Sequence, residues 1–313
     1  MTDTILTDYE IRKSNKEKSR FIDYLKERLS EKGYDKEKDI TIETKGKGIF
    51  KSRNIVVGNP EKAEIFITAH YDTCAVIPFP NLMAPTNPFI FIMYQIVLVV
   101  LILLMAGLVA VPVMLLTKNA LVTYYAFLLF LWGLIIHIMV GYRNAHTAND
   151  NTSGVITITK ILEELSPEQR QKVCAVYFDN EEKGLFGSAL FAKKHKKAVK
   201  DKLLINFDCV GDGEYVVTMA KKEARKDIRY EAFVEAFEQS AENREVKYLC
   251  RKMKPMMFPS DQSNFSKSIG ICALKKSPIG LYTARIHTPF DTKCREENID
   301  YLGCAIQAFL DKI

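Results

Sequence analysis

The chain has 313 residues, of which 48% are hydrophobic and 26% charged, and its formal net charge is +6. This balance excludes a collagen-like, a disulfide-dense or a wholly disordered chain, and also a polytopic transporter, which would be apolar throughout. The mean hydropathy of −0.06 conceals an uneven distribution, because Lys118 is the only charged residue between positions 73 and 142. The sequence therefore predicts a soluble-type domain that contains a membrane-type segment.

The cysteines and the first residues both bear on the compartment. The seven cysteines form no CxxC pair and show no regular spacing, which is typical of reduced thiols rather than a disulfide framework. Residues 1–20 contain no apolar core, so we expect no signal peptide. Both observations favour a domain in the cytosol.

Outside the apolar window, helical and strand periodicities alternate along the chain. Residues 8–33 are predicted to form an amphipathic helix, because apolar residues recur at helical spacing and Gly33 can end it. Further strands are expected from about residues 40, 54, 64, 172, 202, 246 and 271, and further helices from about residues 153, 188, 230 and 297. This order predicts an α/β fold with a mostly parallel mixed sheet flanked by helices, interrupted by a transmembrane helical hairpin.

The apolar window holds two uncharged runs, residues 89–116 and 120–140. Each meets the length of roughly 20 apolar residues that one membrane span requires. The alternative is a helical hairpin buried in a larger core, but a domain of this size rarely encloses two such helices. We therefore predict contact with the lipid bilayer through residues 89–140. The predicted organisation is residues 1–77 for the first part of the charged domain, 78–143 for the hairpin, and 144–313 for the remainder.

The orientation of the hairpin follows from its two ends, which join the same charged domain and so place that domain on one side of the membrane. Every Lys and Arg except Lys118 lies in this domain, and Arg143 directly follows the second run. Basic residues beside a span favour the cytoplasmic face. We expect a cell-membrane protein with two spans and a cytoplasmic domain.

His70 and Asp72 stand two residues apart at the end of the apolar strand EIFITAH. Because alternate side chains of a strand point to one face, the carboxylate can orient the imidazole of a metal-ligating histidine. Taken alone, an HxD pair is more often an ordinary surface pair.

More acidic and histidine residues occur where other predicted strands end. Glu181 and Glu182 follow the strand VCAVYFDN, and Asp208 follows LLINF. Asp150 lies in a loop just before a helix, where its alternative role is a helix N-cap, and His287 lies near the C-terminus. In an open parallel sheet, the carboxyl ends of the strands share the edge where ligands bind. Crowding these carboxylates there is costly without cations, so the set predicts a pair of divalent ions with N and O ligands.

At these positions the sequence resembles the co-catalytic dizinc peptidases, which include secreted bacterial leucine aminopeptidases, aminopeptidase Y and glutamate carboxypeptidase, with glutaminyl cyclases as relatives. The similarity runs from about residue 40 to the end, except for the apolar insert. The matching segments occur in the family's order and are AHYDT at 69–73, ANDNTSGV at 148–155, NEEKGLFGS at 180–188, NFDCVG at 206–211, SDQSNF at 260–265 and IHTPFDT at 286–292.

This resemblance implies a role for each matching residue. His70 and Asp208 would bind one zinc ion, Glu182 and His287 would bind the other, and Asp150 would bridge the two. Asp72 would orient His70. Glu181 would be the general base that removes a proton from the metal-held water attacking the peptide carbonyl. We also expect Asp291 to hold the loop after His287 in position. Asp261 is expected to support the metal ligands without binding a metal itself.

The chain departs from the family pattern at two positions and in one segment. Many relatives have Tyr where this chain has Ile286, and His where it has Gln262. Both positions lie near the substrate in relatives. The two differences therefore leave the substrate specificity undetermined, but they do not affect the predicted metal binding. The largest departure is the hairpin, where relatives have a short loop. Because it leaves the predicted site directly, we expect the site to lie close to the bilayer surface.

The sequence therefore predicts a membrane-anchored dizinc exopeptidase, most simply an aminopeptidase acting on short peptides near the membrane. A carboxypeptidase or a glutaminyl-cyclase-like enzyme on the same scaffold is the alternative, and a catalytically silent membrane receptor or scaffold is the non-enzymatic one. No residue can be assigned to recognition of a free amine. The chain has no basic-aromatic stripe or recognised nucleic-acid module, so no nucleic-acid partner is expected. The oligomeric state is left open.

Overall fold

The structure is a computed structural model that describes residues 3–77, 79, 81–252, 258–278 and 280–313. The strands are β1 (Ile40–Lys45), β2 (Ser52–Val57), β3 (Ile65–His70), β4 (Leu82–Met83), β5 (Val173–Phe178), β6 (Leu203–Phe207), β7 (Tyr215–Ala220), β8 (Lys247–Lys252), β9 (Ser268–Ser277) and β10 (Gly280–Ala284). The α-helices are α1 (Thr4–Asp8), α2 (Asn15–Glu31), α3 (Pro88–Thr117), α4 (Ala120–Val140), α5 (Gly154–Glu164), α6 (Gln169–Lys172), α7 (Phe186–Lys194), α8 (Lys196–Asp201), α9 (Tyr230–Ala241) and α10 (Glu296–Leu310).

The strands within these residues form one mixed sheet, whose centre is parallel. Strands β5, β3, β6 and β9 are neighbours in that order and run in the same direction. Antiparallel β2 and β1 extend one side, while β7 and β10 pair antiparallel with β9 on the other. In register, His70 at the end of β3 lies opposite Phe178 at the end of β5. The segments that follow β3, β5 and β6 therefore meet at one edge of the sheet.

Helices cover both faces of the sheet, which explains why its central strands are almost continuously apolar. In β3, Ile67 belongs to a large core shared with helices α2, α5, α9 and α10, where Phe21 and Tyr301 are fully buried. Phe66, on the opposite face, packs in a smaller core with Phe191 of α7. The predicted mixed α/β sheet with flanking helices is thus confirmed.

The N-terminal region contains two helices where the sequence predicted one from residue 8 to residue 33. The break arises because Ser14 caps α2: its side chain accepts the Glu17 N–H, and the Glu17 side chain accepts the Ser14 N–H. This reciprocal capping box fixes the start of α2 at Asn15. Gly33, with φ at +88°, follows the end of the helix as expected.

Helices α3 and α4 pack against each other as an antiparallel pair, and their bounds agree with the predicted runs. Both are long and apolar enough to cross a membrane. Their outer surfaces are uncovered: Leu108 is 74% exposed and Leu129 is 77% exposed. Only 6% of the most apolar stretch of each helix is buried. Position 78, where the predicted insert begins, lies outside the described residues.

Candidate metal centre

His70 and His287 lie close to different carboxylate oxygens of one aspartate. The Nε2 atom of His70 lies 3.2 Å from Oδ1 of Asp150 and 3.6 Å from Oδ1 of Asp208. The Nε2 atom of His287 lies 3.1 Å from Oδ2 of Asp150 and 3.2 Å from Oε2 of Glu182. The structure thus brings together the five residues predicted as metal ligands, with Asp150 between the two histidines.

The loop that carries Asp150 is held in place by its backbone. The N–H groups of Asn149 and Asp150 donate to the two carboxylate oxygens of Asp291, at 2.9 and 3.0 Å. The side-chain oxygen of Asn149 accepts the N–H of Gly211 at 2.7 Å, in the segment after Asp208. Asp291 was expected to steady the loop after His287, and it supports the Asp150 loop as well.

Asp72 joins the end of β3 to the segment after β5. Its two carboxylate oxygens accept the N–H groups of Glu181 and Glu182, at 3.0 and 3.3 Å. One of these oxygens also lies 3.6 Å from Nδ1 of His70. A single buried carboxylate therefore positions the glutamate pair and faces the imidazole of His70.

Glu181 lies beside this cluster. One of its carboxylate oxygens, one of Glu182 and a ring nitrogen of His70 lie within 4.8 Å of one another. Burial and the negative charges of Glu182 and Asp261 raise the pKa of Glu181 well above its usual value. A carboxyl group with a raised pKa in this position can accept and return a proton near neutral pH.

The surrounding charges make the cluster strongly electronegative. Burial alone would lower the pKa of His287, but the carboxylates of Glu182 and Asp150 raise it to about 9. Burial raises the pKa of Glu182 itself to about 8. A histidine that keeps its proton and a carboxyl group with a raised pKa both indicate an excess of negatively charged acceptor atoms. A bound cation would compensate this charge.

The donor atoms of the five predicted ligands are imidazole nitrogens and carboxylate oxygens. Histidine nitrogens and carboxylate oxygens are ligands that zinc accepts. Oε1 of Glu182 and Oδ1 of Asp208 are two of the eight side-chain atoms that are buried without a hydrogen-bond partner in the described part of the chain. Buried polar atoms are nearly always paired, so these two oxygens point to a cation. The residues present fit zinc.

Cys74 is a neighbour of the cluster that sequence reasoning did not find. Its sulfur, a carboxylate oxygen of Glu182 and a ring nitrogen of His287 lie within 4.8 Å of one another. Burial raises the pKa of this thiol well above its usual value. The only signal in the sequence was its place four residues after His70.

Arg12 and Lys18 fall within the helix predicted for residues 8–33, and both are buried beneath the site. The guanidinium of Arg12 donates to the carbonyl of Tyr71 at 2.6 Å and to the hydroxyl of Thr152 at 3.1 Å. The ammonium of Lys18 pairs with Asp179. These contacts reach the segments that carry His70, Asp150 and the glutamate pair.

The two positions that depart from the family pattern are buried. Gln262 donates to the carbonyl of Phe258 at 2.7 Å and accepts from Asn206 at 2.8 Å, so its amide supports the sheet. Ile286 is 2% exposed. Asp261 is also buried, and burial raises its pKa to about 7.

The base of the hairpin is hydrogen-bonded to this site. The N–H of Val76 donates to the carbonyl of Tyr142 at 2.9 Å, and the N–H of Ile77 donates to the carbonyl of His287 at 2.9 Å. In addition, β4 pairs with β10, which ends just before His287. The hairpin and one predicted metal ligand are therefore connected through the backbone.

The chain has an α/β fold with a candidate metal centre at the carboxyl edge of its sheet. The model of peptidase family M28 matches residues 137–303, which is more than half of the chain. The chain belongs to peptidase family M28. The matched range contains Asp150, the glutamate pair, Asp208 and His287, while His70 and Asp72 precede it. Membership in this family implies zinc as the metal.

Solved structures with a similar fold include two kinds of enzyme. A glutaminyl cyclase from Porphyromonas gingivalis superposes with a TM-score of 0.59 at 15% identity, over 99% of this chain and 96% of that one. A Zn-dependent exopeptidase from Parabacteroides distasonis gives 0.55 at 14% identity, over 97% and 92%. The LapA aminopeptidase of Legionella pneumophila gives 0.53 at 15% identity, over 98% and 68%. No curated protein matches the chain in sequence.

Proposed function

We propose that this chain is a membrane-anchored dizinc aminopeptidase that hydrolyses short peptides near the membrane surface. The observation that carries the proposal is the placement of His70 and His287 on different oxygens of Asp150, at 3.2 and 3.1 Å. One carboxylate between two histidines suits a pair of neighbouring metal ions. Asp208 completes the first set of ligands and Glu182 the second.

Zinc, when bound, supplies Lewis acidity that polarises a carbonyl oxygen and makes water more acidic. The protein supplies the proton transfer. Glu181 accepts a proton from the water that attacks the peptide carbonyl and then gives it to the departing amine. Its raised pKa supports both directions of transfer. Asp72 fixes the backbone of Glu181 by accepting its N–H, and this holds the base in position.

The membrane anchor in this proposal is the α3–α4 hairpin, with the peptidase domain on the cytoplasmic side. Its support is the uncovered apolar surface of both helices, together with Arg143, which lies three residues after the end of α4 and is exposed. Because the base of the hairpin is hydrogen-bonded to His287, a peptide whose reacting end emerges at the membrane reaches the site directly.

A glutaminyl-cyclase-like activity is the second candidate, since the cyclase from Porphyromonas gingivalis covers almost the same length as this chain. A carboxypeptidase uses the same chemistry on the opposite end of a peptide. Peptides with a free amino terminus, with a blocked amino terminus and with N-terminal glutamine separate the three. The presence of Glu181 and of all five predicted ligand residues in the sequence supports an enzyme over a catalytically silent scaffold.

The experiment compares the metal content and peptide hydrolysis of the detergent-purified protein with those of Asp150→Ala and Glu181→Gln. We expect about two zinc ions per chain in the wild type and loss of both in Asp150→Ala. Glu181→Gln should keep its zinc while hydrolysis falls by about 10²- to 10⁴-fold. A wild type that stays free of metal when zinc is supplied would contradict the proposal.

A further inference from the structure

A basic loop, residues 45–51, connects strands β1 and β2. Its sequence is KGKGIFK, with three lysines and no carboxylate. The chain turns at Gly46 and Gly48, whose φ angles of +84° and +57° favour glycine. All three lysines are exposed. The basic loop therefore presents a concentrated positive charge to its surroundings.

Phe50 adds an exposed apolar surface to this charge. It is 41% exposed, although its ring centroid lies 4.6 Å from that of Phe186. An aromatic ring flanked by lysines is suited to the headgroup region of a bilayer. The ring can enter the boundary of the acyl chains while the ammonium groups remain beside the phosphates. The composition of the basic loop thus fits an anionic lipid surface.

The basic loop lies at the edge of the sheet that carries the candidate metal centre. Strand β2 runs antiparallel to β5, so its first residue, Ser52, lies toward the carboxyl end of β5. The side chain of Asn180 donates to the carbonyl of Lys51 and to the hydroxyl of Ser52, both at 3.0 Å. Asn180 directly precedes Glu181, so the basic loop is joined to the segment of the predicted general base.

The base of the hairpin reaches the same edge through α2. Arg143, three residues after the end of α4, donates to the carboxylate of Glu17 at 2.8 Å. The first residue of α2, Asn15, accepts a hydrogen bond of 3.1 Å from the guanidinium of Arg53, at the start of β2. The hairpin and the basic loop therefore both contact the first turn of α2, and both lie at one edge of the domain.

We infer that the basic loop binds anionic headgroups of the bilayer that holds the hairpin, so that the edge with the candidate metal centre is held against the membrane. The inference rests on the membrane anchor in the proposed function. Each lysine beside an anionic surface should strengthen binding about fivefold. Free phosphate and an acidic peptide carry the same kind of charge in solution, and the test separates them from the lipid surface.

The test uses the full-length, zinc-loaded protein in two kinds of lipid nanodisc. One is pure phosphatidylcholine, and the other is an equal mixture with phosphatidylglycerol. Hydrogen exchange of the backbone amides is followed by mass spectrometry. Exchange in residues 45–51 should be about 10-fold slower or more in the anionic discs, because lysines and lipid hold the loop in place. Residues 35–39, before the other end of β1, should exchange equally in both.

Two double variants with the same change of charge test the lysines of the basic loop. Lys47→Gln/Lys51→Gln should lose most of the protection in anionic discs, and Phe50→Ser should lose part of it. Lys32→Gln/Lys38→Gln is the matched control, because both lysines are exposed and precede β1; it should keep the protection. Equal exchange of the wild-type loop in the two kinds of disc would overturn the inference, as would full protection in Lys47→Gln/Lys51→Gln.

Further arms identify the occupant and separate this inference from the proposed function. Protection by inorganic phosphate in neutral discs equal to that in anionic discs would show that the loop binds a free anion, and the inference would be wrong. It would also be wrong if Lys47→Gln/Lys51→Gln lowered kcat/KM only for acidic peptides in detergent, without any effect of lipid on exchange. A chain that stays outside neutral discs contradicts the proposed anchor. Its co-sedimentation with phosphatidylglycerol vesicles, lost in the same variant, would still support lipid binding by the loop.

Discussion

The carbonyl oxygen of His287 accepts a hydrogen bond of 2.9 Å from the backbone N–H of Ile77. Ile77 belongs to the segment that leads from Asp72 into the hairpin. Its neighbour Val76 donates to the carbonyl of Tyr142, two residues after the end of α4. The two ends of the hairpin and a predicted metal ligand therefore share one set of backbone contacts, and the insert supports the site in addition to any role as an anchor.

Replacing residues 76–142 by a short flexible linker should slow hydrolysis of soluble peptides by about 10-fold or more, because it removes the backbone contact with His287 and a 1 Å misplacement of a catalytic group can cost 10²-fold. Zinc content and kcat/KM are the measurements. A hairpin shortened only at its tip, between residues 108 and 129, is the control, since it keeps the base. An undiminished rate in the full replacement would show that the hairpin is dispensable for the site.

Asp72→Asn should weaken zinc binding by about 10- to 100-fold, as is typical when a carboxylate behind a metal-ligating histidine is lost. The amide also replaces one of the oxygens that accept the N–H groups of Glu181 and Glu182, so kcat should fall with metal affinity. Competition with a chelator measures the first effect. Asp212→Asn is the control, because Asp212 pairs with Lys275. Equal zinc affinity in the two variants would contradict the role of Asp72.

Zinc uptake should release protons. Zinc binds neutral imidazole and ionised carboxylate, whereas the pKa of His287 is raised to about 9 and that of Glu182 to about 8 in the metal-free protein. Below these values the groups keep their protons and compete with the metal. The apparent dissociation constant for zinc should therefore fall as the pH rises toward about 9, and level off above it.

Calorimetry in two buffers of different ionisation enthalpy measures the protons released. The variant His287→Ala should release fewer protons on binding zinc. The side chain of His146 is 47% exposed beside Glu10, and His146→Ala should release as many protons as the wild type. Zinc uptake with no proton release at pH 7 would show that these groups are already deprotonated in the metal-free protein.

The elements that position the site could be predicted because each is a buried strand with its own apolar run. His70, Asp208 and the glutamate pair each follow such a run, and parallel strands bring their ends to one edge. The bridging role of Asp150 was predicted from the family resemblance, because a loop residue shows no periodicity in the sequence. Its position depends on contacts with Asp291, more than a hundred residues away, which sequence spacing does not report.

The supporting residues could not be predicted from local pattern. Arg12 and Lys18 occur in a strongly charged stretch that is typical of a solvated helix, and only the fold shows that both are buried. Strand β7, with the residues YVVTMA, was not predicted, although it is a short apolar run like those of the predicted strands. Gln262 was expected near the substrate, but its amide is used by Asn206 and Phe258 in the interior.

Lys18→Met should destabilise the protein by about 3–5 kcal/mol, because it leaves the carboxylate of Asp179 buried without its cation. The side chains of this pair are 4% and 2% exposed, and the Lys18 ammonium also donates to Asn180 at 3.1 Å. Since Asp179 lies two residues before Glu181, its displacement should also lower kcat.

Urea unfolding followed by circular dichroism measures the free energy of unfolding, with Lys16→Met on the exposed face of α2 as the matched control. Burial already raises the pKa of Asp179. In Lys18→Met this carboxyl should therefore take up a proton as the pH falls. The difference in the free energy of unfolding between Lys18→Met and Lys16→Met should then become smaller in acid. Adding Asp179→Asn should recover part of the lost stability. If Lys18→Met unfolds at the same urea concentration as Lys16→Met, the ion pair does not hold this segment.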